Sequence, residues 1–531
     1  MAKTIYLTTP LYYVNAAPHI GHSYTEVAAD CLARYHRLKG EPVFLLTGTD
    51  EHGQKIAQAA AAAGQPPQAF VDQTVAKFTA LWKTLNISHD DFIRTTQPRH
   101  VQAVQAILGQ LHQQGKLKRA AYQGWYCTPD ETFWTEGELG RPGSSAGVPA
   151  CPTCQRPLES AKEEGWYLPL QAAQEWLVGF VKSHTDFVRP ASRYNELVGL
   201  LEQPLPEYLC ITRPKSRVSW GIPVPFSPDH VVYVWFDALL NYITVPGYVG
   251  DRRRFDALWP ADVHFIGKDI LRHHAVYWPI MLHALGFSDE QMPRLFAHGW
   301  WKIGEQKMSK SLGNIVDPSV VVGVLLKDQP YAADVYRYFL LREVPFGQDG
   351  SFSEDAIFTR LHADLANDLG NLVNRACSMI ERYCQGKIPA ATGLEAATDA
   401  PLQRAAIALP AVIDPLMRRL EFSGALEAIM QVVTSANQYI EATAPWKLAK
   451  QPDHAARLHT VLGVLAEVLR IAAIMLEPFM PSVAAAIWMQ LGCGETPRRL
   501  ADAAAWPRLP SGQALGPHPV LFPRTDPNTA S

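Results

Sequence analysis

The sequence carries no strong charge of either sign: 48 Lys and Arg stand against 51 Asp and Glu, a formal net charge of −3 over 531 residues. A global electrostatic grip on nucleic acid is therefore excluded, and any such partner must meet a local surface. Cysteine is sparse. Of eight, Cys31, Cys210, Cys377, Cys384 and Cys493 are scattered, which rules out a disulfide scaffold and points to reduced thiols in the cytoplasm. A charged-then-apolar leader is lacking, since Met1-Ala2-Lys3 runs straight into a strand-like segment. Long apolar runs are lacking too: the stretch from Ile471 to Leu491 is interrupted by Glu477 and two prolines, so no membrane partner is expected. There is no internal repeat, and no low-complexity tract beyond the alanines at 59–63. What remains, 47% hydrophobic and 19% charged residues, is the composition of an ordinary globular protein long enough for more than one domain.

Apolar patterning divides the chain. Residues 4–9 read as a buried strand, 22–38 as a helix ending near Gly40, and Val43 to Thr47 as a second strand leading into Gly48-Thr49-Asp50-Glu51-His52-Gly53. Helices follow over about 54–63 and 66–85. Strands alternating with helices predict an α/β fold with a parallel, Rossmann-type sheet, whose ligands sit beyond the carboxyl ends of the strands. From 117 to 225 glycine, proline and aromatic residues become dense, reading as a connective insertion. The α/β pattern resumes with strands at Val231 to Phe236, Val263 to Gly267 and Leu295 to Trp300, and with helices near 238–244 and 269–285. From 353 onward long amphipathic patterns predict an all-α helical bundle. The expected domains are 1–116 and 226–352 as two halves of a catalytic domain, 117–225 as the insertion, 353–500 as the bundle, and 501–531 as a tail, loosely packed over its last twenty or so residues.

Two polar clusters stand out. Pro18-His19-Ile20-Gly21-His22 lies between the first strand and its helix; Lys307-Met308-Ser309-Lys310-Ser311 lies between Trp301 and Leu312. Histidines at a helix start and two lysines on a loop suit a polyphosphate, because backbone N–H groups and the helix dipole also favour an anion there. Taken alone, the histidine pair reads more readily as a structural turn and the lysine run as a solvated basic loop. Together, in this order and flanking an interrupted α/β sheet, they resemble both signature motifs of the class I aminoacyl-tRNA synthetases. Thr8-Thr9-Pro10-Leu11-Tyr12-Tyr13-Val14-Asn15, Gly48 to Gly53, Tyr233-Val234-Trp235-Phe236-Asp237-Ala238 and Phe265-Ile266-Gly267-Lys268-Asp269-Ile270 are similar to the methionyl-tRNA synthetase branch, from residue 4 to about 480.

The resemblance implies ATP-dependent activation of L-methionine to methionyl-adenylate, then transfer to the 3′-terminal adenosine of initiator and elongator tRNA(Met). ATP, brought as its Mg2+ complex, is implied to be held by His19, Gly21, His22, Gly267, Asp269, Lys307, Met308, Ser309 and Lys310, with His19, His22, Lys307 and Lys310 catalytic. Methionine is implied to be bound by Leu11, Tyr13, Asp50, Trp235, Ala238, Tyr242, Ile270, His274 and Trp278. Those side chains suit it: a carboxylate for the ammonium, and rings and aliphatic groups for the thioether, whose sulfur packs well on aromatic faces. Trp278, four residues past His274, should face the same way on one helix. The anticodon is implied to meet Asn371, Arg375 and Trp446; amide, guanidinium and indole groups suit splayed single-stranded bases.

A cysteine knuckle is half kept. Cys151-Pro152-Thr153-Cys154 has the spacing of a zinc-ligand pair, whereas the other arm reads Cys127-Thr128-Pro129-Asp130. Structural Zn2+ on Cys127, Asp130, Cys151 and Cys154, or a metal-free hairpin, both fit. A class I synthetase for valine, leucine or isoleucine would need a large editing insertion, because a pocket discriminates one methylene by only about 1–3 kcal/mol. The insertion at 117–225 is short for that. A small-molecule nucleotidyltransferase would not need the helical half, and a catalytically dead tRNA binder would not need His19, His22, Lys307 and Lys310. The optional C-terminal oligonucleotide-binding module of the family it resembles is not expected after the bundle, and where that module supplies dimerisation its absence implies a monomer.

Overall fold

A computed structural model of the chain describes residues 3–134, 139, 148–152, 154–304, 306–307, 316–395 and 397–524. By compactness the chain falls into two units. One comprises Met1–Pro18, Val43–Ala80 and His89–His298; the other His19–Pro42, Leu81–Ser88 and Gly299–Ser531.

The first unit is organised by a seven-stranded sheet. Its order is Tyr12–Tyr13, Val43–Asp50, Ile5–Thr8, Val263–Gly267, Leu295–His298, Val188–Arg189, with Asp91–Arg94 also paired to Val43–Asp50. Every pairing is parallel. The last six residues of Val43–Asp50 are all buried rather than alternately so, as a parallel strand covered on both faces requires. Strand order reverses at Ile5–Thr8, whose neighbours come from opposite ends of the unit. The crevice that such a reversal opens lies beyond the carboxyl ends of the strands, where Thr8, Asp50, Gly267 and His298 end theirs. The Rossmann-type parallel sheet is as the sequence pattern implies.

One local expectation is corrected here. Val231 to Phe236 is not a strand of this sheet. His230–Val232 pairs antiparallel with Thr212–Pro214 in a separate two-stranded sheet, and Val234–Thr244 is helical. The run is rich in β-forming residues, but Phe236, Leu239, Leu240 and Ile243 are buried at helical spacing, and burial outweighs propensity. Residues 117–225 do form a sheet of their own, antiparallel, in the order Thr132–Trp134, Lys118–Cys127, Glu159–Pro169, Tyr208–Cys210. They also join the larger sheet and its core: Val188–Arg189 extends the parallel sheet, and Leu177, Phe180 and Leu197 share one apolar core with Tyr6, Leu46 and Ile266.

The second unit is helical, apart from a small sheet of Gln306–Lys307, Trp301–Ile303 and Gly350–Ser351. Its principal helices are Ile20–Leu38, Ala332–Arg342, Asn371–Cys384, Asp399–Arg418, Phe422–Thr443, Ala455–Leu476 and Pro481–Gln490. One segment, Pro452–Leu476, is long and apolar enough to cross a membrane, but 94% of its most apolar window is buried inside the protein, as a bundle's central helix should be. Arg337, fully buried, pairs with the equally buried Asp30 at 2.7 Å and donates to the carbonyls of Phe479, Pro478 and Leu85. Burial pushes the Asp30 carboxyl up, but Arg337, Arg34 and hydrogen bonds from Ser88 outweigh it and hold it below the usual range. The end of the chain is not loosely packed through residue 524. Ile388 and residues 512–513 exchange backbone hydrogen bonds of 2.8 Å, and Leu521 and Phe522 are buried. Two apolar side chains are enough to anchor a segment whose proline and glycine content suggested otherwise.

Candidate active site

Asp50 is the last residue of its strand and is 2% exposed. Its Oδ1 has no hydrogen-bond partner among the described residues. Burial, then the nearby carboxylates Asp237 and Glu131, push its carboxyl well above the usual range, against one backbone hydrogen bond from His52. An unpaired buried carboxylate of this kind is costly, and a cation is what relieves it.

Aromatic residues from two helical segments line the same unit. Trp235 enters from the first turn of Val234–Thr244, meeting Tyr13 edge-on with ring centroids 6.4 Å apart and stacking on His273 at 3.7 Å. Tyr242, two turns on, lies on His264 at 4.1 Å and touches both His274 and Trp278 at 5.8 Å. His274 and Trp278 thus do reach a common neighbour, although a π-turn at His273–Tyr277 interrupts the helix between them. The His274 tautomer follows from its partners. Its Nδ1 faces the Ile270 carbonyl at 3.0 Å, which only accepts, so Nδ1 carries the proton and Nε2 accepts from the Tyr242 hydroxyl at 2.9 Å. Burial pushes His274 down to about 4, so the ring is neutral at physiological pH. Leu11 and Ile270 pack on the apolar core, and Ala238 is buried. Gly267 ends its strand, and Asp269 follows in an exposed 3-10 turn.

Three side chains here went unread in the sequence. Asp237 accepts from His52 at 2.7 Å and His100 at 2.8 Å. Glu131 accepts from the Lys55 backbone N–H at 2.7 Å and from the Tyr126 hydroxyl. His273, the first residue of the π-turn, stacks on Trp235. The positions of acidic residues in those runs gave no sign that they are buried, and a π-turn leaves no mark in apolar periodicity.

In the second unit, the His19 turn is a capping box made of imidazoles. Helix Ile20–Leu38 begins at Ile20 rather than at residue 22, with His19 as N-cap. His19 Nδ1 accepts from the Gly21 N–H at 3.1 Å, and His22 Nδ1 accepts from the His19 N–H at 3.2 Å. The rings stack at 3.7 Å. With both Nδ1 atoms accepting, each neutral ring carries its proton on Nε2. Gly21 lets the His19 ring sit close: a Cβ there would meet that ring at 3.0 Å, so the ring would have to shift. Lys307 pairs through its backbone with Lys302, while Met308, Ser309, Lys310 and Ser311 lie outside the described residues. Val316 accepts the Ile20 N–H at 3.1 Å, beside the histidine turn.

Further along this unit, Arg375 lies 5.7 Å over the Trp446 ring and binds Glu441 at 2.7 Å; Asn371, one turn earlier, donates to Asn437 at 3.3 Å. All three residues implied for base recognition therefore gather on one face of the helical unit, half-buried. Back in the first unit, the ligating atoms of Cys127, Asp130, Cys151 and Cys154 lie within 4.8 Å of one another. The Cys127 and Cys154 sulfurs are 3.4 Å apart, and Asp130 Oδ2 is 3.2 Å from Cys151 and 3.5 Å from Cys127. A tetrahedron with zinc–sulfur arms of about 2.3 Å has edges of ~3.8 Å, so little adjustment is needed.

Comparison with known proteins identifies the family. The family model described as tRNA synthetases class I (M) matches residues 5–377, and that of the anticodon-binding domain of tRNA ligase matches residues 411–515. A methionine–tRNA ligase of Caldanaerobacter subterraneus is 46% identical over 99% of this chain and 80% of its own. That of Streptomyces coelicolor is 42% identical over 100% and 98%. The structure of Mycobacterium tuberculosis methionyl-tRNA synthetase in complex with methionyl-adenylate superposes with a TM-score of 0.92 at 41% identity, covering 98% of this chain and all of that one. The chain belongs to the methionine–tRNA ligases, within the class I tRNA synthetases.

Proposed function

We propose that Asp50 holds the ammonium of L-methionine, that Leu11, Tyr13, Trp235, Ala238, Tyr242, Ile270, His274 and Trp278 enclose its side chain, and that ATP is held by His19, Gly21, His22, Gly267, Asp269 and the segment Lys307 to Lys310. The observation that carries this reading is the buried, unpartnered Asp50 oxygen among aromatic walls. Methionine's carboxylate attacks the α-phosphorus of ATP in line, giving methionyl-adenylate and pyrophosphate; ATP enters as its Mg2+ complex. No protein nucleophile is needed, so catalysis is positioning and stabilisation of charge on phosphate oxygens. The Nε2–H groups of His19 and His22 and the ammonium groups of Lys307 and Lys310 supply that stabilisation. The neutral His274, accepting from Tyr242, fixes the phenol and leaves the pocket uncharged around the thioether. A ribose hydroxyl of the 3′-terminal adenosine of tRNA(Met), initiator and elongator alike, then attacks the methionyl carbonyl, breaking its bond to the phosphate, losing the hydroxyl proton and releasing AMP.

Base recognition falls to Asn371, Arg375 and Trp446. ATP–pyrophosphate exchange run with each of the twenty amino acids should respond to methionine alone, and Trp446→Ala should keep that exchange while tRNA charging falls 10- to 100-fold, the loss of about 1–3 kcal/mol that one stacked base contributes. Exchange driven by another amino acid would overturn the substrate, and equal loss of both steps would make Trp446 structural.

Cys127, Asp130, Cys151 and Cys154 are read as a structural zinc site, closed and without a catalytic role, supported by their spacing. Elemental analysis should find one zinc per chain in the purified protein, lost in Cys151→Ser; a metal-free native protein would make the cluster a bare hairpin. The reading is completed by a cytoplasmic monomer, with no membrane partner. Free cysteines throughout suit a reducing compartment, and a monomeric mass in solution is expected.

A further inference from the structure

We infer that the turn Thr128–Glu131 is the positioning element of the amino-acid pocket, with the Glu131 carboxylate as its positioning residue. The inference rests on the reading of Asp50 as the ammonium-binding group. Three pocket segments far apart in sequence meet at this one turn. From the Asp50 loop, Lys55 donates its backbone N–H to Glu131 Oε1 at 2.7 Å and its ammonium to the Pro129 carbonyl at 2.9 Å. That ammonium also lies 5.1 Å over the ring of Tyr13, which belongs to the segment after the first strand. From the third segment, Trp235 Nε1 donates to the Asp130 carbonyl at 3.3 Å, and the Tyr233 hydroxyl donates to the carbonyl of Glu131.

Glu131 itself is held at some expense. It is 1% exposed and sits at φ 51°, a left-handed conformation that costs a non-glycine residue energy. The loop accommodates it closely: Gly53, at φ 103°, is where a Cβ would come within 2.9 Å of Glu131 Oε1. Its second oxygen accepts from the Tyr126 hydroxyl. A buried carboxylate in a strained backbone persists where the surroundings over-determine it, and such positions cluster at ligand sites. Glu131 also lies near enough to Asp50 for its charge to help raise that carboxyl. It acts through Lys55 and Gly53 on the loop that carries Asp50, and its own backbone carbonyl holds Tyr233 beside Trp235.

A positioning role separates the two substrates kinetically. Glu131→Gln should raise the methionine KM in ATP–pyrophosphate exchange about tenfold while kcat and the ATP KM change less than twofold. Lys55→Met, which cuts the same turn from the same loop at a different atom, should raise the methionine KM severalfold in the same direction. Glu159→Gln removes an exposed acceptor of Thr128 Oγ1 on the outer side of the turn and should alter neither constant. An unchanged methionine KM in both Glu131→Gln and Lys55→Met overturns the inference, as does a parallel fall of kcat and both affinities with a lowered melting temperature, which marks a purely structural turn. Asp50→Asn measured alongside keeps the premises apart: if it retains the methionine KM, the ammonium reading fails, whatever Glu131 does.

Discussion

Replacing Asp50 by Asn should lower kcat/KM for methionine about a thousandfold, on the order of 4 kcal/mol, and at the same time make the methionine-free protein more stable at neutral pH. Both effects come from one buried carboxylate. With substrate bound, the ammonium and Asp50 form a buried pair, and removing one partner of such a pair costs about 3–5 kcal/mol. Without substrate, burial and the neighbouring Asp237 and Glu131 raise the Asp50 carboxyl above its unfolded value near 3.8. The folded protein then binds a proton more tightly than the unfolded chain. Stability falls as pH rises from the unfolded value to the folded one, and stays low above it. Asn escapes that penalty, so the melting advantage of Asp50→Asn should shrink as pH is lowered towards 4 and grow as it is raised. A constant difference across this range would mean that Asp50 is not strained by its charge. Saturating methionine should erase the wild-type deficit, because the ligand supplies the missing cation.

The second large effect is at His22. His22→Ala should slow exchange about 10²–10³-fold in kcat, the loss of one donor to a developing phosphate charge, about 2.7–4 kcal/mol. It also removes the acceptor for the His19 N–H and should therefore melt earlier, since a helix cap contributes roughly 1 kcal/mol. His22→Glu separates these roles. A glutamate at the third helical position completes a capping box, so stability should be kept while exchange is lost at least as fully. Equal melting of the Ala and Glu variants would show that the cap does not matter to the fold; near-normal exchange in either would remove His22 from catalysis.

How much of this was legible in the chain depends on the range over which each feature is decided. The histidine turn and the lysine segment are each written within five residues, and the parallel strands announce themselves as short apolar runs. The Asp50 pocket was legible only through likeness to known sequences, because Tyr13, Asp50, Trp235 and His274 lie on segments whose meeting no local pattern specifies. Tyr233 to Phe236 misled for a physical reason. β-branched and aromatic residues favour a strand, and the helix that forms there has no side-chain cap at Tyr233 to signal its start. Glu131 and Asp237 were invisible because acidic residues are ordinarily solvated; only the fold shows that these two are enclosed. The imidazole capping box was hidden by chemistry, since His is not the residue that usually fills either position.

The first helix has a further consequence for how the protein comes to be made. Ser23 shares a hydrogen bond with Tyr336, 313 positions later, and the enclosed Asp30 is neutralised by Arg337. A ribosome adding about 5–20 residues per second needs roughly 15 to 60 seconds to bring these partners into existence. For that interval Asp30, on the helix bearing the histidine turn, has Arg34 four residues along the same helix but not yet Arg337. The full set of partners of this helix comes together once residue 337 has been added, whatever the early strands have already done.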